Sequence, residues 1–164
     1  MRRVAAYSAL ITLPILVLGS GRPEMYRIPL EATVDAPGAS GAATLTRAAS
    51  VFGMALTPDG HVVYDVHVVV HGLPASSTYA GATTYVAWAT VPDLSLAQRL
   101  GALGPGDSTV GQVAWNKFIV LVTPEHAATG ARWAGPILVR GASASTWMQR
   151  FQSHVLNNGG NPQW

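Results

Sequence analysis

The sequence predicts an all-β protein built as an antiparallel sandwich, with an apolar N-terminal segment and a short C-terminal helix. Residues 61–71 alternate between β-branched or aromatic side chains and polar ones, as a strand does when one face is buried and the other is wet. Residues 118–122 form a continuous apolar run, which is typical of a central sandwich strand. Short segments of both kinds recur between turns rich in glycine and proline, and this spacing favours a sandwich of immunoglobulin-like type.

The composition limits the classes of function. The chain has 164 residues, enough for one domain with a core, and 49% of them are hydrophobic while 11% are charged. The net charge is +2, and no cluster of basic residues follows Arg2 and Arg3, so no nucleic-acid partner is expected. The chain contains no cysteine, which excludes disulfides, thiolate metal sites and cysteine nucleophiles.

Residues 1–24 are expected to form a membrane anchor and the start of a linker. Two arginines precede an apolar run over residues 4–18, and this placement of charge leaves the N-terminus in the cytoplasm and the rest of the chain on the periplasmic side. A cleaved signal peptide is the alternative, because the run is short for a transmembrane helix and Gly19 and Gly21 could supply small residues at a cleavage site. We expect a retained anchor, which places residues 4–18 in the lipid bilayer.

The sandwich is expected to occupy residues 25–141. Its strands are predicted over residues 30–34, 42–48, 50–56, 61–71, 83–90, 109–114, 117–123 and 136–140. Residues 57–60, Thr-Pro-Asp-Gly, indicate a tight turn, because proline presets φ and glycine accepts a positive φ. The crossing after the 83–90 strand is expected to contain one helical turn over residues 94–100.

The strands on either side of residues 72–82 hold the densest valine and aromatic content, and the rest of the sheet is expected to form around them. In the first of the two, Val66 and Val68 fall on the buried side and His67 falls on the wet side. In the second, Trp88 is expected to be a core residue.

Residues 142–164 are expected to form a short helix and a docking tail. The apolar positions at helical spacing are Trp147, Met148, Phe151 and Val155. Ser143 or Ser145 could cap the start of this helix. The tail is polar and rich in glycine but ends in Trp164, which either packs back on the sandwich or docks on a partner.

Five short segments in the middle of the chain share their order and spacing with one known family. They are Gly72-Leu73-Pro74, Thr84-Tyr85-Val86-Ala87-Trp88, Leu100-Gly101-Ala102-Leu103, Phe118-Ile119-Val120-Leu121-Val122-Thr123-Pro124-Glu125 and Gly135-Pro136-Ile137-Leu138. With these segments, residues 50–141 resemble the extracytoplasmic domain of the anti-sigma-K factor family. The resemblance implies an immunoglobulin-like sandwich outside the membrane.

Two features differ from the pattern of that family. Its members carry a cytoplasmic helical arm that binds the sigma factor, commonly with a histidine and cysteine zinc motif, whereas here only residues 1–3 precede the apolar run and cysteine is absent. Residues 142–164 have no counterpart in the family pattern. The resemblance therefore implies the fold and the compartment, and not the binding of a sigma factor by this chain alone.

The sequence gives little support to a metal or catalytic site. His67 and His71 share a strand face but lie about 13 Å apart along it, too far to bind one ion together. Four of the eight acidic residues, Asp35, Asp59, Asp93 and Asp107, fall at turns, where they bond local backbone. The sequence has no Gly-x-Ser-x-Gly motif. We therefore expect neither enzymatic activity nor a cofactor.

Tryptophan and arginine side chains in loops are the expected partner contacts, since both are common anchors of protein interfaces. The apolar stripe of the C-terminal helix could also lie on a partner or on lipid. The predicted partner-binding residues are Trp115, Arg132, Trp133, Trp147, Met148, Phe151 and Trp164. The alternative is that the tryptophans cover the ends of the sandwich.

These features predict a non-catalytic accessory subunit of a multi-subunit bacterial membrane complex, of respiratory or photosynthetic reaction-centre type. One N-terminal helix would anchor it in the cytoplasmic membrane, and its periplasmic sandwich would stabilise the assembly by binding other subunits. Two alternatives stay open. One is a regulatory or sensing domain like that of an anti-sigma factor, and the other is a secreted periplasmic binding module.

Overall fold

The computed structural model describes residues 26–104, 108–126 and 130–146. Within them the chain forms ten β-strands and one short 3₁₀ helix, Ser76–Thr78, and residues 144–146 are helical. The strands are β1 (Arg27–Ala32), β2 (Ser40–Arg47), β3 (Ala49–Ser50), β4 (Gly53–Met54), β5 (Tyr64–His71), β6 (Thr84–Thr90), β7 (Ala97–Ala102), β8 (Ser108–Val113), β9 (Ile119–Glu125) and β10 (Val139–Ala142).

Eight of these strands form one sheet, in the order β7-β6-β9-β10-β1-β2-β5-β8, and β3 pairs with β4 as a separate hairpin. Every pairing in the sheet is antiparallel. The predicted all-β, antiparallel class is therefore confirmed. No helix in the described part of the chain has the length and apolar character needed to cross a membrane.

Strand β1 makes the sheet continuous. On one edge it pairs with β2, which places Glu31 opposite Ser40, and on the other edge it pairs with β10, which places Glu31 opposite Arg140. Without β1, the pairings would leave two sheets, β2-β5-β8 and β10-β9-β6-β7. The expectation of two separate sheets is thus corrected, because β1 uses the hydrogen-bonding groups of both its edges and joins the two halves.

The sheet curls until its edge strands, β7 and β8, lie side by side. The Gln98 side-chain amide of β7 donates to the backbone carbonyl of Gln112 in β8 at 2.8 Å. A Cβ atom at Gly101 would lie only 2.3 Å from the carbonyl oxygen of Val110, so the two backbones approach closely where glycine leaves room. The sheet is therefore nearly closed.

We expect Gly101→Val to lower the free energy of unfolding by about 1–3 kcal/mol, because the added side chain must push β7 away from β8. Gly38→Val is the matched control, since a Cβ at Gly38 meets no atom within 4 Å. Urea unfolding of both variants measures the difference. Equal losses at the two positions would show that the contact between the edge strands contributes nothing.

The two halves of the sheet enclose one hydrophobic core. Its buried residues include Ile28, Leu30, Ala43, Leu45, Val66, Val68, Ala87, Ala89, Val120 and Val122. Val66 and Val68 are buried as their alternation predicts, while the intervening His67 lies on the outer, polar face of β5. The strand-face assignment made from the sequence is confirmed for β5.

The half of the sheet that contains β6 and β9 is also buried on its outer face. A second cluster there consists of Val86, Trp88, Ile119 and Leu121. Residues 130–138 run across this face, and Trp133 and Ile137 pack against the cluster. Trp88 is fully buried, as expected, but beneath this covering segment rather than between the two halves of the sheet.

The predicted helical turn over residues 94–100 is wrong. Leu94 has a φ of 62°, which interrupts any helix, and the residues from Ala97 onward form β7, an edge strand paired with β6. Strand β7 forms because it pairs with β6, and the apolar pattern of residues 97–102 does not reveal that pairing. Local periodicity therefore gave no signal for it.

The segment predicted as a strand over residues 50–56 instead reverses on itself in the β3–β4 hairpin. Gly53, with a φ of 119°, permits the tight reversal at its tip. The predicted turn over residues 57–60 is confirmed, because the Gly60 N–H donates to the Thr57 carbonyl at 2.9 Å and Gly60 has a φ of 82°.

The strand registers place the connections at two ends of the body. The lower end carries Tyr26, the loops 48–63, 91–96 and 114–118, and residues 143–146. The upper end carries the loops 33–39 and 72–83. The covering segment 130–138 runs along the outer face between the two ends, because Arg132 contacts Leu94 and Ala134 contacts Glu125.

Candidate functional site

Three of the seven predicted partner-binding residues lie within the described structure. They are Trp115, Arg132 and Trp133. The other four, Trp147, Met148, Phe151 and Trp164, lie outside the described residues, as does the predicted anchor over residues 1–24. The structure does not group the three described residues in one site, because Trp115 packs against the main core while Trp133, with Arg132 beside it, packs against the second cluster on the outer face.

Arg132 and Trp133 fix the covering segment to the sheet. The Arg132 guanidinium lies 5.1 Å from the centroid of the Trp133 ring and donates to the Leu94 carbonyl at 3.1 Å. The Trp133 ring meets Trp88 edge-on, with centroids 6.2 Å apart. Both side chains therefore make contacts within the chain, whatever further contact they offer to a partner.

Trp115 is half-buried at the lower end, where it packs against the main core. It lines a cavity of about 130 Å³, together with Tyr26, Tyr64, Phe118 and Ser143. This cavity lies between the residue that leads into β1 and the residues that follow β10. The entry and the exit of the described chain are therefore neighbours.

Ser143 fastens the exit of the chain to the lower end. Its hydroxyl oxygen accepts from the backbone N–H of Phe118 at 3.2 Å and from that of Thr146 at 3.4 Å, and residues 144–146 are helical. The Thr146 hydroxyl in turn donates to the Phe118 carbonyl at 3.2 Å. Of the two serines predicted to cap the C-terminal helix, Ser143 makes the capping contact.

His67 holds neighbouring strands together on the polar outer face. Its Nε2 lies 3.2 Å from the Thr46 hydroxyl of β2, and its Nδ1 lies 3.2 Å from the Thr109 hydroxyl of β8. Asp65 accepts from the Gln112 side chain at 2.9 Å on the same face. Among the described residues, no three His, Cys, Asp or Glu side chains are grouped so that they could hold a metal ion.

Glu125, at the end of β9, is a buried acidic residue. Its side chain is 1% exposed. The carboxyl group accepts from the Thr123 hydroxyl at 2.7 Å and from the backbone N–H groups of Ala134 and Gly135 at 3.0 and 3.1 Å. The only sequence signal was a carboxylate three residues after the continuous apolar run 118–122, at the end of a buried strand where a polar group needs hydrogen-bond partners.

A chain of hydrogen bonds connects Glu125 to the second cluster. Trp88 Nε1 donates to the Thr123 hydroxyl oxygen at 3.0 Å, and the Thr123 hydroxyl donates to Glu125. All these groups lie under the covering segment. Glu125 therefore acts as an internal anchor for that segment, with its acceptor capacity used by the chain itself.

A cavity of about 380 Å³ opens beside Glu125 at the upper end, lined also by Tyr79, His126 and Pro136. The Tyr79 hydroxyl donates to the Asp35 carbonyl at 2.9 Å. Burial, followed by the charge of Asp35, raises the pKa of Tyr79 above its ordinary value. Tyr79 is thus a neutral hydrogen-bond donor at physiological pH. Its hydrogen bond to Asp35 joins the 72–83 loop to the 33–39 loop.

Exposed apolar side chains concentrate at the lower end. Six large hydrophobic residues are exposed in the described structure: Val34, Val51, Phe52, Met54, Leu56 and Leu96. All except Val34 belong to lower-end loops. Phe52 is 99% exposed and Val51 96%, at the tip of the β3–β4 hairpin. A pair of protruding apolar residues of this kind indicates a contact surface.

The hairpin that carries this tip is held by the chain around it. The Ala55 N–H donates to the Ala48 carbonyl at 2.8 Å, and the Val63 N–H donates to the Ala55 carbonyl at 3.0 Å. At the tip, the Phe52 N–H donates to the Ser50 hydroxyl at 3.3 Å. Val51 and Phe52 are therefore presented on an ordered turn.

Exposed charges accompany the apolar residues of the lower end. They include the basic residues Arg27, Arg47 and Lys117 and the acidic residues Asp59 and Asp93. The carboxylate of Asp93 accepts hydrogen bonds from the backbone N–H and from the hydroxyl of Ser95. These bonds, first the backbone one and second the hydroxyl one, lower the pKa of Asp93 below its ordinary value.

Searches of protein-family models, of curated proteins and of solved structures find no match to this chain. The resemblance of residues 50–141 to the anti-sigma-K factor family accordingly stays a prediction from the sequence.

Proposed function

We propose that this chain is a non-catalytic accessory subunit of a multi-subunit bacterial membrane complex, of respiratory or photosynthetic reaction-centre type. An anchor over residues 4–18 would hold it in the cytoplasmic membrane, with the bulk of the chain on the periplasmic side. The sandwich and residues 142–164 would bind other subunits and stabilise the assembly.

The observation that carries this proposal is the convergence of the chain's entry and exit on the lower end. Tyr26 and Ser143 line the same cavity. Only residues 19–25 separate Tyr26 from the apolar run over residues 4–18. A chain anchored through that run would turn its lower end to the membrane, and residues 147–164 would start beside the same point.

The strand order supports an immunoglobulin-like architecture. Apart from β1, the two halves of the sheet are β2-β5-β8 and β10-β9-β6-β7. In chain order these strands correspond to A-B-E and G-F-C-C′ of the immunoglobulin fold, with β1 as an additional strand between A and G. The resemblance to the anti-sigma-K factor family implies the same architecture.

The use of polar side chains favours a structural role over catalysis. His67 bridges two strands, Ser143 caps a helical segment, and Glu125 holds the covering segment through two backbone N–H donors. His67, Ser143 and Glu125 are of residue types that can perform acid–base or nucleophilic chemistry, but each side chain is hydrogen-bonded to other groups of this chain.

The proposal is tested by mild detergent solubilisation of native membranes, affinity purification of the full chain, and intact-mass measurement with identification of the co-purified subunits. We expect the mass to include residues 1–24 and the partners to be stoichiometric membrane subunits. A chain recovered free in solution and starting near Gly21 would contradict the proposal and favour a secreted module. Recovery of a sigma factor or an anti-sigma partner instead would favour a regulatory domain.

The same purification tests the C-terminal segment as a docking element. A chain truncated after Thr146 keeps the Ser143 cap and all ten strands, so the body is retained. We expect this truncation to reduce the recovery of partner subunits at least several-fold. Full recovery of those subunits would show that residues 147–164 are not required for assembly.

A further inference from the structure

We propose that the lower end of the sandwich rests on the lipid bilayer, with Val51 and Phe52 at the tip of the β3–β4 hairpin inserted among the headgroups and upper acyl chains. This inference rests on the proposed membrane anchoring and adds to it a second, independent lipid contact made by the folded body.

The position of the hairpin in the fold is the first argument. The register of β1 with β2 pairs Arg27 with Thr44, so the described chain enters at the same end at which β2 leads into the 48–63 loop. The apolar run over residues 4–18 precedes this entry. A membrane holding that run therefore lies nearer to the 48–63 loop, which carries the hairpin, than to the upper end.

The shape of the tip is the second argument. Val51 and Phe52 are almost fully exposed on a narrow, hydrogen-bonded turn, and Met54 and Leu56 on the same loop are about half-exposed, at 48% and 55%. A protruding tip needs a matching pocket to bury itself in a rigid protein. A fluid bilayer interface accepts it without one, and apolar residues with an aromatic ring are favoured there.

The charges of the lower end are the third argument. Arg27, Arg47 and Lys117 are exposed around the entry and the 48–63 and 114–118 loops, where they can reach anionic headgroups. Asp59 and Asp93 reduce the net charge. We therefore expect the apolar tip to supply most of the affinity, with a modest dependence on anionic lipid.

The test uses the full chain reconstituted in vesicles of phosphatidylcholine with phosphatidylglycerol. Because the chain has no cysteine, a single Cys can carry an environment-sensitive fluorophore at Phe52→Cys, and a matched label at Val34→Cys reports on the upper end. We expect the label at position 52 to be blue-shifted and quenched by spin-labelled lipids at least about threefold more than the label at position 34.

A second label keeps the tip intact. Asp59→Cys places the fluorophore in the 48–63 loop, and adding Val51→Ser and Phe52→Ser should reduce its lipid quenching at least twofold. Each apolar side chain moved into the interface is worth up to about tenfold in partitioning, so losing two of them should lift the loop away from lipid.

The outcomes separate this inference from the anchoring proposal. A chain that floats with the vesicles while both labels are equally unquenched would overturn the lipid contact and leave the anchor intact. A blue shift at position 52 without lipid quenching in the native complex would assign the tip to a protein partner. A full chain that does not float would contradict the anchoring proposal itself.

Discussion

Replacing Trp88 with alanine is expected to lower the free energy of unfolding by about 3–5 kcal/mol, the largest effect of any single substitution considered. The side chain is fully buried and fills the space between the outer face of β6 and the covering segment. Its removal leaves a cavity beside Trp133 and frees the Thr123 hydroxyl oxygen from its indole donor. Urea or thermal unfolding of the full body measures the loss.

Two variants make this prediction specific. Trp88→Phe keeps most of the volume but loses the hydrogen bond to Thr123, so it should cost less than Trp88→Ala. Trp115→Ala removes a tryptophan that is only half-buried, and it should also cost less. If Trp88→Ala and Trp115→Ala were equally destabilising, the covering segment would not seal the outer face as described.

Replacing Glu125 with alanine is expected to cost about 3 kcal/mol, because three hydrogen-bond donors lose an acceptor that is itself buried. The Ala134 and Gly135 N–H groups have no other described acceptor among the hydrogen bonds of this segment. Hydrogen exchange of these two amides should accelerate strongly in Glu125→Ala. Chemical unfolding gives the accompanying loss of stability.

Glu125→Gln and Glu31→Ala are the controls for that substitution. The glutamine keeps one carbonyl acceptor, so its loss should lie between those of the wild type and Glu125→Ala. Glu31 is an exposed glutamate on β1, and its replacement should change stability by no more than about 0.5 kcal/mol. Continued protection of the Ala134 and Gly135 amides in Glu125→Ala would refute the anchoring role of Glu125.

The faces of the strands could be predicted wherever the alternation was strong. Val66 and Val68 are buried as predicted, and the apolar run that begins at Phe118 is a central strand buried on both faces. Both results follow from local patterns, since side chains of a strand alternate between its faces and a strand covered on both sides is continuously apolar. The 57–60 turn was also a local signal.

The elements that were missed depend on distant partners. Strand β7 has no clear alternation and exists through its pairing with β6 and its contact with β8. Glu125 looked like the end of an apolar run, and its three donors come partly from a segment nine and ten residues further along. Val51 and Phe52, which form the exposed tip, were predicted to be ordinary strand residues. Nothing in the sequence of residues 50–56 distinguishes the exposed apolar residues of this tip from buried ones.

The sequence by itself determined the antiparallel β class, the inward faces of its strongest strands and the position of its proline–glycine turn, because each of these depends on residues within one strand or one loop. Only the tertiary structure decided that β1 joins both halves of the sheet, since Glu31 of β1 pairs with Arg140 of β10, and most of the sequence lies between these two residues. It likewise decided that the entry, the exit and the apolar hairpin share one end, because the direction of each strand is set by pairings between segments that lie far apart in the sequence.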